Sequence, residues 1–80
     1  MERIVLSADE IRKRVQKLVN AISEIVDDEA KVDAVLPQWH EPDRDGCNWD
    51  MGLLRGGADY ETEVREAIEQ VRARFNLADK

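Results

Sequence analysis

Residues 47–53 alternate Cys47, Trp49, Met51 and Leu53 with Asn48, Asp50 and Gly52. This period of two fits a strand with one apolar face and one solvated face. Such a strand needs a partner, since a lone extended segment leaves its backbone groups unpaired. Immediately before it, Glu41-Pro42-Asp43-Arg44-Asp45-Gly46 has turn chemistry: proline presets φ, aspartates bond to nearby backbone N–H groups, and glycine accepts a positive φ. Upstream of the turn, Val32, Val35 and Trp39 supply strand-forming side chains, while Pro37 confines that segment to an edge or a bulge. The expectation is a hairpin over about residues 32–54, with Trp39 opposite Trp49.

On either side the period changes to 3.6. Ser7-Ala8-Asp9-Glu10 reads as a capping box, with Leu6 and Ile11 placed for a hydrophobic staple. Ile11, Val15, Leu18, Val19, Ile22, Ile25 and Val26 then continue one helical stripe, which predicts a helix over about residues 8–27. Asp59 reads as the cap of a second helix over about residues 59–76, with Tyr60, Val64, Ala67, Ile68, Val71 and Phe75 as its buried stripe and Asn76 closing it. Arg3-Ile4-Val5-Leu6 reads as a short strand at a sheet edge. The expected architecture is α+β, one small domain over residues 1–80: two helices packed on a small antiparallel sheet, in (β)αββα order with a central hairpin. A helical pair with a long ordered loop is the alternative.

Composition narrows the function classes. In a chain of 80 residues, 42% apolar and 38% charged, one core is expected and no spare module. No apolar run reaches the length a membrane span needs, and residues 1–6 lack a secretory signal's pattern. Cys47 is the sole cysteine, so an intrachain disulfide is impossible and a reducing, cytoplasmic setting is expected. The net charge of −6 is concentrated in residues 28–63, which hold ten acidic against three basic groups. An acidic centre repels phosphate backbones, which makes nucleic acid an unfavourable partner.

Several clusters invite chemical readings. Glu41, Asp43, Asp45 and Gly46 resemble the start of a calcium-binding loop, but Gly52 stands where a closing glutamate belongs, so a solvated acidic turn is expected and no EF-hand. His40, Glu41, Asp43, Asp45 and Cys47 form the densest set of metal-ligand types. A zinc site needs three or four convergent protein ligands, so these residues are weak candidates and no metal or cofactor is expected. Cys47 alternates with core residues, where a thiol behaves as a small hydrophobe, and its acidic surroundings disfavour the thiolate. No catalytic residue is therefore assigned. Arg12, Lys13, Arg14 and Lys17 form a basic patch on the outer face of the first helix, partly offset by Asp9 and Glu10 at helical spacing.

The functional expectation is a cytoplasmic protein-interaction module without catalytic activity, with another protein or a second copy of the chain as partner. Its candidate contacts are Trp39, Trp49 and Arg55 on the hairpin, because exposed tryptophan and arginine are typical interface anchors, with the helix-one basic patch as a separate surface. Two alternatives come from other classes: an acidic inhibitor of phage or prophage type that mimics nucleic-acid charge, and a small metal-binding or thiol protein centred on His40 and Cys47.

Overall fold

A computed structural model describes residues 3–78. Its elements in chain order are β1 (Ile4–Leu6), α1 (Ala8–Val19), α2 (Ser23–Asp27), β2 (Gln38–Trp39), β3 (Trp49–Asp50), a short 3-10 turn (Ala58–Tyr60), α3 (Glu61–Arg72) and β4 (Phe75–Leu77). The protein is α+β, as the two hydrophobic periods require. In place of one antiparallel sheet there are two two-stranded sheets, β2 with β3 antiparallel and β1 with β4 parallel.

The capping box forms as the sequence predicts. Ser7 Oγ accepts from the Glu10 N–H at 3.2 Å, and Glu10 Oε1 accepts from the Ser7 N–H at 3.1 Å. The helix that follows does not run to residue 27. It ends at Val19, and the chain makes one extended residue at Ile22 before α2 begins. Asn20, which caps α1, still donates its backbone N–H to Gln16 O, and its Oδ1 accepts from Gln16 Nε2 at 2.9 Å. The break re-aims the stripe: Ile25 is buried, whereas Val26 is 56% exposed. A left-handed Glu29 closes α2, with the Glu29 N–H on Val26 O and the Ala30 N–H on Ile25 O, the double-bonded C-terminal turn that ends many helices.

The hairpin is shorter than expected. Trp39 does pair with Trp49, and the same register recurs at a bridge between Asp33 and Arg55. Between them the ladder opens around Pro37, which has no N–H to donate. The upstream segment is held instead by a side chain. The Gln16 amide donates to Val32 O at 2.8 Å and accepts from the Ala34 N–H at 2.7 Å, standing in for a neighbouring strand. Leu53 leaves the alternating face and is 77% exposed, while Leu54 takes the buried place.

The segment after α3 differs as well. α3 stops at Arg72, so Phe75 and Asn76 belong to β4 rather than to a helical stripe and its cap. The Tyr60 side chain that precedes α3 makes no capping bond, and Asp59 lies in the 3-10 turn. Arg3 fixes the new arrangement. Its guanidinium donates to Asn76 Oδ1 at 2.6 Å, to Ala73 O at 3.3 Å and to Arg72 O, placing a cation at the negative end of α3 where bare carbonyls need donors.

One core joins the elements. Ile11, Val15 and Val19 of α1 meet Val64, Ala67, Ile68 and Val71 of α3, and Trp49, Met51, Phe75 and Leu77 complete it. Trp49 is fully buried, and its indole N–H donates to Phe75 O at 2.9 Å. Asn48 ties the same two strands through a paired amide: Nδ2 donates to Leu77 O at 2.9 Å and Oδ1 accepts from the Leu77 N–H at 2.8 Å. The hairpin is thus fastened to the terminal sheet by side chains that imitate a strand edge.

Candidate interaction surfaces

The residues most suggestive of chemistry are engaged in holding the turn. Asp43 Oδ1 accepts from the Asp45 N–H at 2.9 Å and the Cys47 N–H at 3.1 Å, and Gly46 closes the turn at φ +88°. The other Asp43 oxygen meets Arg72 Nη2 at 2.8 Å. Partial burial works to raise the Asp43 pKa, but these two N–H donors and the Arg72 charge outweigh it and hold the carboxyl below its usual range. Arg72 is also fixed by Glu69 at 3.0 Å and by Trp49 O at 3.0 Å. His40 Nδ1 lies 2.6 Å from Glu41 O. Cys47 is buried, and its Sγ donates to Trp49 O at 3.4 Å. Among the described residues no three His, Cys, Asp or Glu side chains converge as metal ligands, so His40, Glu41, Asp43, Asp45 and Cys47 are brought near one turn but not onto one point.

The tryptophans separate. Trp49 is a core residue and has no surface to offer a partner, while Trp39 packs half-buried against the core. Arg55 is exposed at the hairpin base, where its backbone N–H and C=O both pair with Asp33, at 3.1 and 2.9 Å. Of the large apolar side chains left exposed, Ile4, Val5, Val26, Leu36 and Leu53, the most exposed is Leu53. It is part of the lining of a shallow pocket, together with the buried Met51, Leu54, Val64 and Ile68 and with Glu61 and Arg65. The alternation of Cys47, Trp49 and Met51 points Leu53 inward, and it fails because the strand ends at Asp50 and the chain past it no longer alternates.

The basic residues of α1 also separate. Arg12 and Lys13 ion-pair with Asp9 at 2.7 and 3.2 Å. These neighbours hold the Asp9 carboxyl below its usual range, through hydrogen bonds from Arg12 and then Lys13. Arg14 instead lies over the Phe75 ring, 4.5 Å from its centroid.

No protein-family model matches the chain, and searches of curated proteins and of solved structures return no match. No helix among the described residues is long and apolar enough to cross a membrane.

Proposed function

We propose that the chain is a non-catalytic protein-interaction module that pairs with a second copy of itself through the face formed by residues 51–54 and α3. The observation that carries this reading is Leu53: 77% exposed, it forms one wall of an apolar pocket. An exposed leucine on the wall of an apolar pocket is self-complementary, because a two-fold axis lets the Leu53 side chains of two copies pack against each other's pocket wall. The rim carries Glu61 and Arg65, one of each sign, so two chains of net charge −6 meet where like-charge repulsion is small. Dimer burial also supplements a core that is thin in a chain of this length.

The non-catalytic part of the reading is supported by the uses already found for Cys47, His40 and Asp43, each committed to a structural bond. Among the described residues, ion pairs engage Asp9, Asp43, Asp50 and Glu69, each within 4.0 Å of Arg or Lys; these four are lost to a charge-mimicking surface, while carboxylates without an ion pair stay open to it. Isotope-filtered NMR on a mixture of labelled and unlabelled chain tests the pairing. Intermolecular contacts from the Leu53 methyls to Val64 and Ile68 are expected, and contacts absent from this face in a dimeric sample would move the interface elsewhere.

A further inference from the structure

Arg14, Lys17 and Arg74 line one groove between the second half of α1 and the end of α3, floored by Leu18, Val71 and Phe75. The groove encloses about 450 Å³, room for one or two side chains. Arg14 and Arg74 both lie over the Phe75 ring, at 4.5 and 5.7 Å from its centroid, which orients the two guanidinium groups before anything binds. Among the described residues no carboxylate forms an ion pair with any of these three cations, in contrast to Arg12 and Lys13. Three cations without a close ion pair, Arg14 being offset in part by the nearby Glu10 carboxylate, give this groove a local positive excess on a chain of net charge −6.

We infer that this groove binds an acidic peptide segment carrying an aliphatic side chain, at a site separate from the Leu53 face. The carboxylates meet Arg14, Lys17 and Arg74 through charge-assisted hydrogen bonds, and the aliphatic group packs on half-buried Leu18 and on the methylene stems of the three basic side chains, above the buried Val71 and Phe75. Gln70, which also lines the groove, offers an amide to the peptide backbone. Charge complementarity selects the peptide over a nucleic acid. Three cations make a short footprint for a phosphate backbone, and the acidic excess of residues 28–63 opposes a long polyanion.

The test is fluorescence anisotropy at low salt with a fluorescein-labelled peptide of sequence Glu-Glu-Leu-Glu-Glu-Leu-Glu. Saturable binding is expected, weakened about tenfold or more by the double change Lys17→Glu and Arg74→Glu and by less than about twofold by Lys13→Glu, whose ammonium is already paired. A peptide with glutamine for every glutamate is expected not to bind. Lys17 and Arg74 are exposed, and a circular-dichroism melt checks the fold. If the double variant does not fold, Lys17→Glu alone is expected to weaken binding measurably. No binding to the folded chain, equal loss from Lys13→Glu, or tighter binding of a single-stranded oligonucleotide or an anionic vesicle than of the peptide would overturn the inference.

Discussion

Replacing Asn48 with alanine removes both bonds by which the hairpin grips β4. The two bonds, at 2.8 and 2.9 Å, serve the N–H and the C=O of Leu77, a residue only 6% exposed. Each such bond contributes about 1 kcal/mol net, and more when the orphaned backbone group stays buried, so the loss is about 2–3 kcal/mol. An 80-residue domain has a total stability of roughly 4–12 kcal/mol, which makes this a large fraction. The melting temperature is expected to fall by about 10–20 °C, read by circular dichroism, with faster hydrogen exchange at the Leu77 amide. Asn48→Asp separates the two bonds. A carboxylate keeps the acceptor for the Leu77 N–H but faces the Leu77 carbonyl without a donor, so the folded state favours the protonated acid. Its folded pKa is then raised above the unfolded value, and the aspartate variant is expected to be relatively more stable below that value and to lose stability as pH rises through the folded pKa. A melting shift of less than about 2 °C for Asn48→Ala would refute the strand-mimicking role.

Three further outcomes are expected. Trp49→Phe loses the indole bond to Phe75 O from a site of 0% exposure and leaves a void, a cost of about 2–4 kcal/mol readable by urea unfolding. Acid should destabilise the fold: the Asp43 and Asp50 carboxyls are held below the ordinary carboxylate range despite the opposing effect of burial, Asp50 mainly by Arg65 and the Met51 N–H. Groups with depressed folded pKa values contribute their full stability above the unfolded pKa, and the contribution is lost as pH falls from there through the folded pKa. Stability is therefore expected to decline as pH drops below the ordinary carboxylate range, less steeply in Asp50→Asn. Tyr60 donates to Asp28 Oδ2 at 2.7 Å, and this bond above all pushes its pKa from 10.0 up to about 12. Tyrosinate absorbance of this single tyrosine should appear near that pH, and nearer 10.0 in Asp28→Asn.

What the sequence disclosed was local. The capping box, the Asp43–Gly46 turn and the Trp39–Trp49 register all depend on residues a few positions apart, and each forms. What it concealed was distant. Phe75 continues the helical stripe and Asn76 suits a helix end, and only pairing with Ile4–Leu6 at the far end of the chain makes Phe75–Leu77 a strand. The same physics explains Asn48 and Gln16, whose amides replace strand partners; an isolated asparagine or glutamine gives no sign of that use. The site residues followed suit. Trp49 alternates correctly with Cys47 and Met51, which identifies its face but not whether that face meets the core or a partner. The four basic residues of α1 are indistinguishable in sequence, and they divide only because Asp9 claims two of them and Phe75 a third.

Sedimentation equilibrium of the 9.2 kDa chain across a range of concentrations, beside Leu53→Asp, tests the pairing most directly. Leu53 is exposed, so the substitution should leave the melting of the isolated chain nearly unchanged while placing a charge in the proposed interface. The expected result is twice the chain mass for the natural sequence and a single chain mass for the variant. A natural chain that stays monomeric at the highest concentration, or a variant that dimerises equally well, would contradict the proposed function.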